Sequence, residues 1–259
     1  MQLVIHAARA LPVCKRLINK AQLDVYTTTS VSSFYHRHAH YLSLLDANEL
    51  AVIERFKFPQ VRDNYIVAHG LLRETLANYI NEFAGQLKFL QTEFGKPFLA
   101  DYPELSFNMS HSGNSLAIAV AQQCQLGIDI EYYKPRATWA GLVKKCFALE
   151  EADYWHSLDK AEQGRAFYQF WVRKEAFVKA DGKGITLGLN QCVINPVDLN
   201  GFLRVPESCG SADLWRIDAI SLSEEVMAAV VCDQQDITLR FLDFNQVEQL
   251  SFIASKLAD

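Results

Sequence analysis

One pattern occurs twice in the chain of 259 residues, and it limits the folds that the chain can adopt. A short strand pattern at residues 22–26 has a counterpart at 125–129, and an Ala- and Val-rich run at 115–121 has one at 225–231. The members of the two pairs lie 103 and 110 positions apart. We therefore predict an α+β fold of two pseudo-symmetric lobes, each a small antiparallel sheet packed with a long helix, with a ligand cleft between them.

A long helical pattern lies inside each copy. One begins near Val61 and carries Glu74, and the other begins near Arg165 and carries Glu175, 101 positions later. We place the boundary between the lobes at residue 122, so that residues 1–122 form the N-terminal lobe and residues 123–259 the C-terminal lobe. The second lobe is expected to end in a short helix near residues 247–257.

Composition excludes several classes of protein. Hydrophobic residues make up 50% of the chain and charged residues 21%, which excludes a disordered chain, and the net charge of −5 disfavours a protein that binds the nucleic-acid backbone. The longest apolar runs are far shorter than the roughly 20 residues that span a bilayer, and the N-terminus lacks a signal-peptide pattern. The six cysteines show no C-x-x-C spacing. We expect a cytoplasmic globular protein with free thiols and no membrane or nucleic-acid partner.

Two acidic residues alternate with apolar ones on the second strand pattern. Asp129 and Glu131 are separated by Ile130 and preceded by Ile128, so both carboxylates lie on the same face of the strand. Two like charges this close favour a cation, and oxygen ligands without a nearby His or Cys favour Mg²⁺ over zinc. A solvated strand end with two acids is the alternative.

The second long helix has charges at the edge of an aromatic stripe. Phe167, Phe170 and Trp171 face the expected core, whereas Glu175 and Lys179 lie four residues apart at its edge. Taken alone, this spacing also suits an exposed ion pair worth a few tenths of a kcal/mol.

Two further segments combine small, polar and basic residues. Residues 107–113 have the sequence FNMSHSG, which we interpret as a turn-rich segment where Ser110 and His111 contact a phosphate. Nucleophilic catalysis by either serine of this segment is disfavoured, because neighbours on an extended chain point opposite ways and no G-x-S-x-G motif surrounds them. Residues 93–97, EFGKP, form a second turn with Gly and Lys, for which a plain β-turn is the alternative.

Four segments in order resemble the signature of the 4′-phosphopantetheinyl transferases: EFGKP at 93–97, FNMSHSG at 107–113, GIDIE at 127–131 and FWVRKEAFVKADGKG at 170–184. The likeness covers roughly residues 55–190 and is to the large, monomeric class that resembles the surfactin-synthetase activator. It implies that coenzyme A lies in the cleft between the lobes, which agrees with the repeat. It also implies transfer of 4′-phosphopantetheine from coenzyme A to a serine of an apo acyl or peptidyl carrier protein, with Mg²⁺ as cofactor and adenosine 3′,5′-bisphosphate as second product.

The resemblance also assigns roles to individual residues. Three carboxylates would hold Mg²⁺ against the pyrophosphate: Asp129, Glu131 and Glu175. Eight residues would contact coenzyme A: Arg62, Gly95, Lys96, Pro97, Ser110, His111, Lys174 and Lys179. Two of these positions would be catalytic, Glu175 as a candidate general base and Lys179 as a charge on the pyrophosphate. Asn64 and His69 stand where the family often has an Arg, so the basic contact to the 3′-phosphate is assigned to Arg62.

The carrier protein would dock just after the metal-binding strand. There basic Lys134, Arg136, Lys144 and Lys145 surround apolar residues, a mixture that suits an acidic partner. The expected docking residues are Tyr132, Trp139, Leu142, Lys145 and Phe147. Two alternatives stay open: a metal-dependent phosphodiesterase, which the acidic balance disfavours, and a non-catalytic module that binds coenzyme A or the carrier.

Overall fold

A computed structural model of the chain describes residues 20–135 and 138–246, without the side chains of residues 185 and 186. Arg136 and the helix expected at 247–257 lie outside these residues. The α-helices are α1 (His38–Leu44), α2 (Ala47–Ile53), α3 (Pro59–Ile80), α4 (Ala140–Cys146), α5 (Leu149–Ser157) and α6 (Lys160–Asp181). The strands are β1 (Gln22–Thr28), β2 (Phe89–Gln91), β3 (Pro97–Leu99), β4 (Leu105–Ser112), β5 (Ser115–Gln122), β6 (Leu126–Tyr132), β7 (Val193–Ile194), β8 (Phe202–Arg204), β9 (Arg216–Ser221), β10 (Val226–Cys232) and β11 (Thr238–Asp243).

Two sheets contain most of the strands. The first has the order β11-β1-β5-β4 and the second the order β6-β10-β9, while β2 pairs with β3 and β7 with β8 in two small hairpins. Apart from β11, each sheet consists of three antiparallel strands in the same spatial order. The strand that comes last in the sequence, β5 or β10, lies in the middle, between the first strand (β1 or β6) and the second (β4 or β9). The predicted α+β class is confirmed, and the repeated strand arrangement agrees with the sequence repeat.

Each lobe has one long helix in its core. In the N-terminal lobe, Leu72 and Leu76 of α3 belong to the same buried cluster as Phe107 and Ile118 of the first sheet. In the C-terminal lobe, Phe170 and Phe177 of α6 are fully buried in a second cluster that includes strand β10. Pro59 at the first turn explains why α3 begins two residues earlier than the pattern near Val61 indicated, because Pro fits a helix N-terminus.

The helix α6 lies unusually close to strand β6. A Cβ atom on Gly127 would lie 2.0 Å from the backbone oxygen of Ala176 and 2.4 Å from the backbone nitrogen of Ala180. Both distances are far below van der Waals contact, so only glycine permits this approach. Lys96 closes the same contact, since its Nζ donates to the carbonyl oxygens of Leu126, at 3.0 Å, and Ala180, at 2.7 Å.

The segment at residues 107–113 is a strand and not the turn-rich segment that we predicted. It forms most of β4, and the turn is limited to Gly113 and Asn114, where Gly113 has a φ of +61°. The polar side chains at alternate positions of β4 accept hydrogen bonds from backbone N–H groups of the other lobe. Four backbone N–H groups in β6 or just before it donate to side-chain oxygens of β4: Cys124 to Ser106 (3.2 Å), Ile128 to Asn108 (2.8 Å), Ile130 to Ser110 (3.3 Å) and Tyr132 to Ser112 (3.2 Å).

The last described strand crosses back to the first lobe. β11 lies parallel to β1, so the first sheet is mixed and not purely antiparallel as expected. The boundary at residue 122 therefore does not separate the two sheets, because a strand from the C-terminal half completes the first one. Arg240 of β11 binds both carboxylate oxygens of Asp24 at 2.6 Å, and Asp24 is fully buried. The Tyr79 hydroxyl also donates to Asp24, at 2.5 Å.

Two general expectations concern membranes and thiols. Within the described residues, every helix is too short or too polar to cross a membrane. The cysteines in this part of the chain are free thiols: Cys124, Cys146, Cys192, Cys209 and Cys232.

We predict that Arg240→Ala lowers the free energy of unfolding by roughly 3 kcal/mol, because it leaves the buried Asp24 carboxylate without its cation. Urea denaturation measures the change. Arg204→Ala is the matched control, since the pair of Arg204 with Glu150 is solvent-exposed and is expected to contribute less than about 1 kcal/mol. Equal, small losses in the two variants would show that β11 is not held by this ion pair.

Candidate active site

The close contact between β6 and α6 brings acidic and basic side chains together. Asp129 and Glu131 lie on one face of β6, while Ile128 and Ile130 are buried in the core between the two sheets. Strand period explains this division, because successive side chains point to opposite faces. From α6, Glu175 and Lys179 lie one helical turn apart and face the same carboxylates.

Asp129 is the most buried member of the cluster. Its carboxylate is 5% exposed, and Oδ1 accepts hydrogen bonds from Lys179 Nζ, at 2.6 Å, and from Ser110 Oγ, at 2.9 Å. The other oxygen, Oδ2, is also buried and finds no hydrogen-bond partner in the described part of the chain. Burial raises the pKa of Asp129, although Lys179 and Ser110 act in the opposite direction.

Glu131 and Glu175 add two more carboxylates. Ser112 Oγ donates to Glu131 Oε2 at 2.9 Å. Glu175 is half-buried, and its pKa is raised by burial first and then by the negative charges of Asp129 and Glu131. Three carboxylates therefore face one ammonium group, and the cluster has an excess of negative charge.

This donor set suits a hard divalent cation. The candidate ligands are carboxylate oxygens, and Asp129 Oδ2 has no hydrogen-bond partner among the residues that the structure describes. Mg²⁺ would neutralise the excess negative charge. As the side chains stand, the residues that the structure describes contain no group of three or more His, Cys, Asp or Glu side chains already arranged to hold a metal ion. The chemistry of the cluster fits Mg²⁺, and its carboxylates would have to converge on the ion.

Lys179 does not form the exposed ion pair with Glu175 that the helical spacing also allowed. Its ammonium group donates to Asp129, to Ser110 Oγ at 2.9 Å and to the carbonyl oxygen of Ile128 at 3.2 Å. These three contacts match its three donors. Helical spacing alone could not show this pairing, because the partners lie on two other elements.

Lys174 is not at the site, which corrects its assignment to coenzyme A. Its side chain is fully buried on the opposite side of α6 and forms an ion pair with the equally buried Glu151, at 2.8 Å. Its Nζ also donates to the carbonyl oxygens of Leu189, at 2.8 Å, and Cys192, at 2.5 Å. Lys174 therefore joins α6 to α5 and to the loop before β7, and all its donors are used inside the core.

The 93–97 turn lies at the other end of β6. Gly95 has a φ of +85°, and the turn closes through hydrogen bonds between Thr92 and Lys96, before Pro97 begins β3. The ammonium group of Lys96 is bound to two backbone carbonyls, and burial lowers its pKa to about 8. The structure thus gives Lys96 a role in helix–strand contact, and does not bring it to the carboxylates.

Ser110 and His111 point to opposite sides of β4. Ser110 is buried beside Asp129 and Lys179, whereas His111 is exposed. Desolvation lowers the pKa of His111, electrostatic interactions with His69 and Lys179 act in the same direction, and Glu131 opposes them. His111 therefore lies within electrostatic reach of the cluster.

The N-terminal end of α3 carries the other residues that we singled out. Arg62 is exposed and lies 3.6 Å from the Asp63 carboxylate. Asn64 Nδ2 donates to the carbonyl oxygen of Gly113 at 3.1 Å, and His69 is 2.8 Å from a carboxylate oxygen of Glu49. Asn64 and His69 thus make contacts within the N-terminal lobe, and of these three Arg62 alone presents an exposed cation.

Part of the predicted docking surface is core. Phe147 is 5% exposed and stacks on Phe167, with 5.5 Å between ring centroids, and half-buried Trp139 packs on the same ring at 4.8 Å. Trp139 and Phe147, which we assigned to docking, therefore stabilise the C-terminal lobe. Lys145 remains exposed, and Leu149, which we had not singled out, is 73% exposed.

Tyr132, the last residue of β6, and Leu142 of α4 belong to the same predicted surface and are half-buried. They leave part of their surface open beside Lys144 and Lys145, which are both exposed.

Comparison with known proteins gives two family matches and several relatives. The model of the 4′-phosphopantetheinyl transferase superfamily matches residues 125–231, and a model described as 4′-phosphopantetheinyl transferase, N-terminal, matches residues 32–123. Protein slr0495 of Synechocystis sp. is 36% identical over 181 residues, 69% of this chain and 73% of that protein. The 4′-phosphopantetheinyl transferase HetI of Nostoc sp. is 34% identical over 190 residues, 72% of this chain and 77% of HetI. The 4′-phosphopantetheinyl transferase Sfp of Bacillus subtilis is 31% identical over 150 residues, 58% of this chain and 66% of Sfp.

We predict that Glu175→Gln is more stable than the wild-type protein near neutral pH, by about 1 kcal/mol, when no divalent cation is present. The pKa of Glu175 in the folded protein lies above its ordinary value of 4.5, so between these two values the folded state binds more protons than the unfolded state. Wild-type stability therefore falls as pH rises from 4.5 through the folded pKa. The advantage of the variant should vanish at about pH 4, where the wild-type carboxyl is protonated in both states. Urea denaturation between about pH 4 and about pH 8 measures it.

Glu150→Gln is the control of opposite sign. A hydrogen bond from Arg204 lowers the pKa of the exposed Glu150 to about 2, so this variant should not gain stability as pH rises. A Glu175→Gln variant that follows the wild-type stability curve throughout would show that Glu175 carries no charge repulsion.

Proposed function

The chain belongs to the 4′-phosphopantetheinyl transferase superfamily, and from this premise we propose that it moves 4′-phosphopantetheine from coenzyme A to a serine hydroxyl of an apo acyl or peptidyl carrier protein. Adenosine 3′,5′-bisphosphate would be the second product. The observation that carries the proposal is the cluster of Asp129, Glu131, Glu175 and Lys179 at the contact of β6 with α6. Such a cluster supplies the positioned charges on which phosphoryl transfer depends.

Three carboxylates are our candidates to hold Mg²⁺: Asp129, Glu131 and Glu175. When bound, the ion would neutralise negative charge on the pyrophosphate of coenzyme A. Two observations support this assignment: Asp129 Oδ2 has no hydrogen-bond partner within residues 20–135 and 138–246, and the pKa of Glu175 is raised by burial and by the neighbouring carboxylates.

Glu175 is the candidate general base. The serine oxygen would form a bond to the phosphorus that carries the pantetheine arm, its proton would pass to Glu175, and the bond from that phosphorus to the leaving adenosine bisphosphate would break. The Glu175 side chain is half-buried, so part of it is accessible to a bound substrate.

Lys179 would balance charge on the pyrophosphate. Its side chain is 30% exposed, so its ammonium group can reach solvent and a bound anion while it keeps contact with Asp129. His111 and Arg62 are exposed and are candidates to contact the phosphates and the 3′-phosphate. The turn residues Gly95 and Pro97 stay candidates to contact the adenine.

The carrier protein would dock on the C-terminal lobe. The exposed side chains of Lys144, Lys145 and Leu149, with half-buried Tyr132 and Leu142, combine positive charge and apolar surface. This mixture is complementary to an acidic partner with an apolar contact residue. Because one chain supplies both sheets, we further propose that the protein acts as a monomer.

We predict that an apo carrier protein incubated with this protein, coenzyme A and Mg²⁺ gains about 340 Da, the mass of one phosphopantetheine group. Intact-mass spectrometry measures the gain, which a chelator should abolish. Asp129→Ala and Glu175→Gln should lower the rate at least about 100-fold, and Glu150→Gln should not.

No gain with carriers of the fatty-acid, polyketide and non-ribosomal-peptide types would contradict the transferase proposal and favour a binding module. Hydrolysis of a phosphodiester without any carrier would instead favour the phosphodiesterase.

We predict that Lys179→Ala lowers kcat about 100-fold and changes the KM for the carrier protein less than about threefold, because its charge acts on the pyrophosphate. Steady-state kinetics with a folded carrier separates the two constants. Lys144→Ala is a useful contrast, since it should raise the carrier KM and leave kcat unchanged. An unchanged kcat in Lys179→Ala would remove Lys179 from the chemical step.

A further inference from the structure

Ser112, the last residue of β4, contacts two consecutive residues of β6. Its hydroxyl donates to Glu131 Oε2 at 2.9 Å and accepts the backbone N–H of Tyr132 at 3.2 Å. We infer that Ser112 is a positioning residue, whose hydroxyl holds the Glu131 carboxylate in place and makes that carboxylate depend on the packing of one lobe against the other. The inference rests on the proposed function, since it gives Glu131 a cation to bind.

The number of donors and acceptors on the serine hydroxyl fixes the direction of its hydrogen bonds. A serine has one O–H donor and two acceptor sites. Because the Tyr132 N–H occupies an acceptor site, the oxygen is held against β6, and its single proton goes to Glu131. The carboxylate is thus bound by a side chain of the other lobe, and not by a flexible neighbour on its own strand.

Glu131 depends on this contact more than Asp129 does. Asp129 receives two donors, Ser110 and Lys179, and is almost fully buried. Glu131 is half-buried and has one more rotatable bond, and within the described residues the Ser112 hydroxyl is its hydrogen-bond donor. Loss of the hydroxyl would therefore release the Glu131 side chain into several rotamers, and a metal ion would have to select one of them.

The same strand contains a matched control. Ser106 Oγ accepts the backbone N–H of Cys124 at 3.2 Å, so it joins the lobes as Ser112 does, but it donates to no carboxylate in the described residues. Ser106→Ala and Ser112→Ala each remove one hydroxyl that accepts a backbone N–H of the other lobe. They differ in whether a carboxylate of the cluster loses its donor.

The two contacts of Ser112 also couple lobe packing to cation binding. The next residue, Gly113, accepts a hydrogen bond from Asn64 of α3, so the β4–β5 hairpin is bound to the N-terminal lobe on one side and to Glu131 on the other. A cation that fixes Glu131 would strengthen the Ser112 contact, and firm packing of the lobes would favour the cation. Linkage requires that the effect works equally in both directions.

The test measures Mn²⁺ binding to the full chain by electron paramagnetic resonance, without coenzyme A. Mn²⁺ is the probe because it is paramagnetic and takes the same oxygen ligands as Mg²⁺. We expect Ser112→Ala to bind Mn²⁺ at least about tenfold more weakly than wild type, the usual effect of removing a partner that orients a metal ligand. Ser106→Ala should stay within about twofold of wild type, and Ser112→Thr, which keeps the hydroxyl, should restore the affinity.

A kinetic measurement follows the same variants. Ser112→Ala should raise the Mg²⁺ concentration needed for half-maximal transfer by about tenfold, while kcat at saturating Mg²⁺ stays within about threefold. Equal Mn²⁺ affinity in Ser112→Ala and wild type would overturn the inference. Equal weakening in Ser112→Ala and Ser106→Ala would also overturn it, because both serines would then act through lobe packing alone.

The failure of the proposed function has a different signature. A wild-type protein that binds no Mn²⁺ and leaves every carrier unmodified would contradict the proposed function, and the inference with it. A wild-type protein that modifies a carrier with Mg²⁺, together with an unaffected Ser112→Ala variant, would contradict the inference alone.

Discussion

The contact of α6 with β6 at Gly127 is the constraint on which the site depends. The backbone of Ala176 and Ala180 occupies the space that any side chain at position 127 would need. This close approach lets a lysine one turn from Glu175 reach across to Asp129 and form a 2.6 Å ion pair. A larger residue at position 127 would push the helix outward and separate the charges of the two elements. The absence of a side chain at Gly127 therefore sets the distance between the charged side chains of β6 and α6.

Electrostatic conflict is concentrated at the same contact. Asp129 has a buried oxygen without a partner in the described residues, and Glu175 is held near two other carboxylates. Elsewhere in the fold two other buried charges have a partner of opposite charge, as Lys174 has in Glu151 and Asp24 has in Arg240. A local cost of this kind is typical of sites that bind a cation or a developing charge.

Sequence patterns predicted the features that depend on local periodicity. The alternation of Ile128, Asp129, Ile130 and Glu131 placed the acids on one face of a strand, and the α+β class followed from the repeated strands and helices. Lys174 was misassigned because its partner Glu151 lies on another helix, and no spacing rule connects them. The sequence did contain a signal: Lys174 lies four residues after Phe170 and three before Phe177, on the apolar face of the helix, and it is fully buried in the structure.

The strand β4 was missed for a related reason. Its alternate positions hold Ser and Asn, which predict turns more often than strands when no partner is known. In the structure those side chains accept hydrogen bonds from backbone N–H groups of β6. They are polar because β4 contacts the edge strand of the second sheet through its side chains. The period-two repeat of small polar residues was present in the sequence and is the pattern that would have indicated this contact.

The return of β11 to the first sheet has a consequence for how the chain folds. Arg240 and Asp24 are 216 positions apart, so the edge of the first sheet beside β1 stays open until β11 has been synthesised. During that interval the N-terminal half presents an unpaired strand edge, a feature that promotes association between chains. The pairing also adds contacts of very large sequence separation, and such contacts are expected to slow folding. Because the C-terminal half supplies this strand, the N-terminal half produced alone is expected to expose the edge of β1 that β11 covers in the full chain.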